Sequence, residues 1–333
     1  MAWLRLVGVA CVATFVFVEL LGAQGPESSE ELPILGLAGV TFKVTDLDAA
    51  RGYYAGVLGF AEAFTLTNEA GEVTSAYFKI NDDQYVEVTP NLQAGELQRL
   101  ARVIVLSADL ERLHRIYTER GVNPSPIGPG PDGNPVFRVM GPSAAPIDFI
   151  EYVEGSQQHR ARGRFLSPDR ISTHLWHIGV MTEDREAAGP FYREKLGFVS
   201  GLPGGRGESI DTPNRDSNTE TKHPPLDPDN PATRDQYVRE QWGAVNHMAL
   251  EVSDMRIARD LAQRRGGFTD LQVRAHVGNN RHWLMHIFDP DGSRTEVMET
   301  AVQSELPPMT VMAPGTDVRP PIVPTEPRVI PWP

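Results

Sequence analysis

The chain has 333 residues, 40% of them hydrophobic and 23% charged, with a formal net charge of −13 at pH 7. Its length suits a globular protein with two hydrophobic cores. The acidic balance speaks against a nucleic-acid or anionic-membrane partner, because phosphate binding needs a basic face, so a small molecule is the expected partner.

Residues 1–23, MAWLRLVGVACVATFVFVELLGA, place an arginine near the start, an apolar run from Leu6 to Leu21, and the small residues Gly22 and Ala23 at its end. That is the layout of a secretory signal peptide. The run is short for a bilayer span, so the expectation is cleavage after Ala23, export to the periplasm or the exterior, and a mature chain without a membrane span. The single cysteine, Cys11, lies in this leader. A mature chain would then have no thiol, which excludes disulfides, thiolate catalysis and cysteine zinc sites. Histidine and carboxylate remain as the metal ligands.

Beyond the leader the chain repeats itself. Residues 37–60, LAGVTFKVTDLDAARGYYAGVLGF, align without gaps on residues 175–198, LWHIGVMTEDREAAGPFYREKLGF, so that Asp46 falls on Asp184, Tyr54 on Tyr192 and Phe60 on Phe198. Each copy reads as an alternating strand, an acidic turn and an amphipathic helix closing on Leu-Gly-Phe. A second pair, 100–121 and 245–266, has the same strand-then-helix form, and 84–90, 147–154 and 293–300 read as closing strands. The chain thus divides into four strand-helix-strand-strand-strand modules at roughly 34–91, 98–154, 172–242 and 243–300. Residues 201–236, rich in Gly, Pro, Asp and Asn, are expected to form a long insertion or lid where the middle strands of the third module belong. Residues 303–333, ending PPIVPTEPRVIPWP, are expected to be a proline-rich, extended and disordered tail.

This modular pattern resembles the vicinal oxygen chelate superfamily, which includes glyoxalases, bleomycin-resistance proteins and extradiol dioxygenases. The resemblance covers nearly all of the chain between leader and tail. It implies an α+β fold in which four βαβββ modules pair into two curved mixed-sheet domains, at 34–155 and 172–300, each wrapped round a cleft.

Strand alternation orients the candidate ligands. In the first strand of module three, Ile178 and Val180 suit the helix-covered face, which leaves His177, Gly179 and Met181 on the concave face. Module four repeats this, with Met248, Leu250 and Val252 towards the helix and His247 and Ala249 towards the cleft. The resemblance implies a third ligand, the acid following an Asp-Pro-x-Gly turn; here that turn is Asp289–Gly292 and the acid is Glu296. The separations of 70 and 49 residues resemble those of the two His and one Glu of extradiol dioxygenases. Such a set leaves positions open on one divalent metal, with Fe(II) expected and Mn, Zn or Ni as alternatives.

At the matching positions of the first two modules stand Gly39, Arg102, Glu87 and Asp148. A guanidinium cannot lose its proton, so the N-terminal half is expected to lack this metal site and to pair Arg102 with Glu87 and Asp148. Glyoxalase-type members take a further carboxylate from the last strand of the corresponding module. That strand is expected at 235–240, where Arg239 occupies the acid's position and Glu240 faces away. His286, ten residues before Glu296, falls where extradiol enzymes carry a tyrosine, and is the candidate acid-base group, since histidine titrates near neutral pH. His282 could share its face; His174 and His276 read as surface residues, and Phe191 and Tyr192 as helix core. The expected function is that of an extradiol-dioxygenase-like oxygenase. A glyoxalase-type lyase or isomerase and a non-catalytic small-molecule binder are the alternatives.

Overall fold

The acidic turns of the sequence are helix starts. In the computed structural model, which describes residues 31–312 apart from 144, 183, 204–206, 214–217 and 223–245, four of the helices open on aspartates. Asp46 caps α1 (Leu47–Arg51), Asp109 caps α2 (Leu110–Glu119), Asp184 caps α4 (Arg185–Pro190) and Asp254 caps α5 (Met255–Gly266). Each side chain accepts a backbone N–H of the first turn, satisfying a donor that the helix itself cannot. α3 (Gln157–Ala161) is capped by Ser156 in the same way.

The repeated Leu-Gly-Phe has an equally local cause. α1 and α4 each run on into one π-helical turn, at Gly52–Val57 and Phe191–Lys195. Gly59 and Gly197, at φ of 75° and 73°, then reverse the chain so that the amide of Phe60 reaches the carbonyl of Tyr54, and that of Phe198 the carbonyl of Tyr192. Only glycine adopts that left-handed step without strain.

The strands form two eight-stranded mixed sheets of identical order. The first contains β1 (Ile34–Lys43), β2 (Ala61–Thr67), β3 (Val73–Lys79), β4 (Tyr85–Thr89), β5 (Leu100–Ser107), β6 (Gly128–Pro129), β7 (Pro135–Val139) and β8 (Ile147–Ile150), ordered β2-β3-β4-β1-β5-β8-β7-β6. The second contains β9 (His174–Met181), β10 (Val199–Pro203), β11 (Gly207–Asp211), β12 (Asn218–Lys222), β13 (His247–Val252), β14 (Ala275–Val277), β15 (His282–Phe288) and β16 (Arg294–Val302), ordered β10-β11-β12-β9-β13-β16-β15-β14. At the centre of each, the first strands of two modules pair antiparallel, β1 with β5 and β9 with β13. This is the four-module βαβββ architecture expected from the sequence, each pair of modules curling into one half-barrel.

A single apolar cluster runs through both halves, from Val40, Phe42 and Tyr54 to Ile178, Tyr192, Met248 and Val297. The helices supply the link: Tyr53 donates to Thr295 Oγ1 (2.9 Å), Tyr54 to Asp289 Oδ2 (3.0 Å) and Tyr117 to the Leu196 carbonyl (3.1 Å). Among the described residues no helix is long and apolar enough to cross a membrane. Residues 1–23, expected to be a leader, lie outside the described residues.

Two segments differ from expectation. The stretch 201–236 contains the second and third outer strands of module three, β11 and β12, and the end of β10, so the module is complete by Lys222. Gly201, Pro203, Gly207, Asp211 and Asn218 lie within these short strands, and composition alone does not separate short strands from a loop. The strand expected at 235–240 lies outside the described residues. The first residues of the tail are also placed: Met309 and Met312 donate to the Val277 and Ala275 carbonyls, and Val277 donates to Thr310, which covers the free edge of β14.

Candidate metal centre

Strand register brings the candidate ligands together. Across the second sheet, His177 on β9 pairs with Ala249 on β13, Ala249 with Glu296 on β16, and Glu296 with His286 on β15. These four residues form one row on the concave face. The adjacent row runs Gly179, His247, Arg294 across β9, β13 and β16. Small residues stand in each row where a long side chain would obstruct: Ala249 lies between His177 and Glu296, and a Cβ on Gly179 would lie 2.0 Å from Cε1 of His247. The His247 ring occupies the space that a side chain at Gly179 would fill, and reaches His177.

The resulting geometry is tight. His177 Nε2 and His247 Nε2 are 3.1 Å apart, His177 Nε2 is 3.8 Å from Glu296 Oε1, and His247 Nε2 is 3.9 Å from Glu296 Oε2. All three donor atoms lie within 4.8 Å of one another, and all three residues are buried. Burial pushes the Glu296 carboxyl up. The hydrogen bond from His286 Nε2 to Oε2 (2.9 Å) and the neighbouring His247 and His177 outweigh it and hold the group well below the usual carboxylate range. Two imidazoles and an ionised carboxylate converging in a buried cleft fit a divalent transition metal of borderline hardness. One contact must give way: Arg294 Nη2 donates to His247 Nδ1 (2.6 Å). A guanidinium only donates, so that contact uses the Nδ1 lone pair and puts the ring proton on Nε2. A metal on Nε2 needs that nitrogen's lone pair, and hence the release of Nδ1 by Arg294.

The other histidines sort differently from their sequence reading. His286 faces the cluster through Glu296. His282 is buried and its Nδ1 meets the Glu299 carbonyl at 2.7 Å, away from Glu296. His174 and His276, expected at the surface, are half-buried: His174 Nδ1 lies 2.8 Å from Glu251, and the His276 ring stands edge-on to His286 at 5.8 Å. Burial, then the nearby His286, push His276 down, with Glu296 acting against them. Tyr192 is core, as expected.

Sequence reasoning missed Glu220. β12 pairs parallel with β9, which sets Glu220 opposite Gly179 and Asn218 opposite His177. In the first sheet the matching pairing sets Glu87 opposite Thr41. The alternation Thr219-Glu220-Thr221 was the available signal, hidden in a segment of loop-like composition.

In the first half the corresponding positions hold an ionic cluster, as expected. Arg102 pairs with Glu87 and lies 3.5 Å from Asp148; Arg138 Nε donates to Asp148 Oδ1 at 2.6 Å; and Thr41 and Ser75 donate to Glu87 at 2.5 and 2.8 Å.

No family profile matches the sequence, and no curated protein does. Solved structures do match the fold. A Mn(II)-bound glyoxalase from Novosphingobium aromaticivorans is 16% identical at a TM-score of 0.58, covering 81% of this chain and 83% of its own. A catechol 2,3-dioxygenase is 17% identical at 0.57, covering 81% and 89%. A variant of homoprotocatechuate 2,3-dioxygenase from Brevibacterium fuscum is 18% identical at 0.56, covering 85% and 76%. At these identities the likeness is one of fold.

Proposed function

The neighbours are members of the vicinal oxygen chelate superfamily, and from that shared fold we propose that this chain is a metal-dependent enzyme acting on a small molecule with two neighbouring oxygens, in the manner of an extradiol dioxygenase. The convergence of His177, His247 and Glu296 on the concave face carries the reading. The dioxygenases among the fold neighbours support it.

In this reading His177, His247 and Glu296 hold one divalent ion, Fe(II), with Mn, Zn or Ni as alternatives. When bound, the metal supplies a Lewis acid with open positions for vicinal oxygens and for O₂. Glu296 stays ionised and therefore competent as a ligand, because His286 donates to it and the two histidines surround it. His286 holds a proton at Nε2 beside the cleft, where it can be exchanged with a substrate hydroxyl. On the opposite face of the same strands Ile178, Met248 and Val297 are buried and apolar.

A second reading, a lyase or isomerase that moves a proton next to a carbonyl, is favoured by Glu220 at the register position beside Gly179. Both readings share the ligand set and differ in co-substrate. Protein purified anaerobically and loaded with Fe(II) is expected to take up oxygen with a panel of catechols. Uptake that survives His247→Ala would falsify the site. Metal-replete protein without uptake, but with solvent-deuterium exchange into α-hydroxycarbonyl compounds that Glu220→Gln abolishes, assigns the second reading. The leader-like sequence of residues 1–23 supports export of the enzyme; recovery of the chain outside the cytoplasm with an N-terminus at Gln24 tests this, and an intact N-terminus on cytoplasmic protein would overturn it.

A further inference from the structure

The two ends of the concave face in the second sheet differ. Trp176 stands on β9 and His282 on β15, with β13 and β16 between them, yet their rings meet edge to face at 5.5 Å. They bridge the curled sheet on the side of Met298 and Leu284, a buried pair one row beyond Glu296 and His286. On the other side of the ligand row Phe288 pairs with Arg294, and Phe288 is 45% exposed. Two residues along a strand span about 7 Å, so Arg294 stands within reach of a ring substituent on a molecule held at the ligands. Such a molecule is walled in by Trp176 and His282 and has its room towards Phe288 and Arg294.

Charge selects what that room suits. Among the described residues Arg294 donates to His247 Nδ1, and a metal on Nε2 puts the ring proton on Nδ1, so the guanidinium loses that acceptor. The acids on these strands are otherwise engaged or distant. Glu296 is committed to the metal and to His286, Glu251 meets His174 towards the walled end, and Glu220 stands three strands from Arg294, beyond Gly179 and His247. A half-buried guanidinium without an acceptor is stabilised by an anion, and its planar fork matches a carboxylate.

Building on the function proposed for the metal centre, we infer that its substrate carries, besides two neighbouring oxygens, a carboxylate that pairs with Arg294 beside the Phe288 ring. Acidic vicinal diols are then the substrate class, and neutral ones bind more weakly.

Calorimetric titration of the Mn(II)-loaded full chain under argon, read as dissociation constants rather than turnover, tests this with three probes. They are catechol, 3,4-dihydroxybenzoate and its methyl ester, which keeps the electron withdrawal and nearly the size of the acid without its charge. The acid is expected to bind at least tenfold more tightly than the ester. Arg294→Leu, or Arg294→Gln should the leucine variant fail to fold, should bring the two to within about twofold. The carboxylate assignment alone is overturned if catechol binds and the acid binds no more tightly than the ester, or if the uncharged variant keeps the full preference. Binding of none of the three overturns it together with the function proposed for the metal centre.

Discussion

Gly179 is needed for what it lacks. Its strand partner His247 occupies the volume of the missing side chain, and Gly179→Ala would put a Cβ 2.0 Å from the ring. Because the nearest atoms belong to a ring fixed in a buried row, the ring must move. The expected result is a loss of at least tenfold in metal affinity with an unchanged far-ultraviolet dichroism spectrum, read by titrating Fe(II) or Mn(II) into the metal-free variant. Arg294→Leu should act in the opposite sense. It removes a positive charge and a competing donor from His247, so metal affinity should rise; an affinity lower than the parent's would show that Arg294 supports the ligand. In the first half, Arg102 joins Glu87 and Asp148, whose side chains are 2% and 5% exposed. Arg102→Leu leaves the buried Glu87 without a counter-charge, held only by the Thr41 and Ser75 hydroxyls, while Asp148 keeps Arg138, and is expected to cost about 3 kcal/mol in urea unfolding.

The aspartate caps turn one sequence feature into four helices. Asp109 accepts from the amide of Arg112 at 2.9 Å, and Asp109→Ala should lower stability by about 1 kcal/mol, the usual worth of an N-cap. Asp254 adds a pH dependence. Burial pushes its carboxyl up, yet hydrogen bonds from the Arg256 side chain and backbone hold it below its ordinary 3.8. A depressed folded value means that the unfolded chain takes up the proton first as pH falls. The stabilisation is therefore complete above the unfolded value of about 3.9 and is lost as pH drops through the lower folded value. Asp254→Asn should remove that part of the acid limb, leaving a smaller difference in stability between pH 5 and pH 3 than in the parent.

Across the whole molecule, helices from one half close over the turn that presents Glu296 in the other. Tyr54 donates to Asp289, whose carboxylate also accepts from the amides of Asp291 and Ser293 and so shapes the turn leading into β16. Burial, the largest effect, keeps the Asp289 carboxyl above its ordinary value despite these donors. Tyr54→Phe withdraws one of them and should cost about 2 kcal/mol, as expected for a hydrogen bond to a charged group. Because the apolar cluster is continuous between the sheets, fluorescence and dichroism are expected to report one coincident transition. Two separated transitions would mean that the halves fold independently.

The sequence by itself determined the module and its orientation. Alternation in β9 and β13 already put His177 and His247 on the face opposite the apolar residues, and the turn at 289–292 marked the strand that carries Glu296. These are short-range consequences of strand geometry and turn chemistry, so local pattern is enough to read them. Tertiary structure decided what depends on neighbours distant in the chain. Register between β12 and β9 put Glu220 beside Gly179, Arg294 came to lie behind His247, and His276 and His174 acquired partners. None of these has a periodic signature, because strand pairing over tens of residues is set by the packing of the whole sheet.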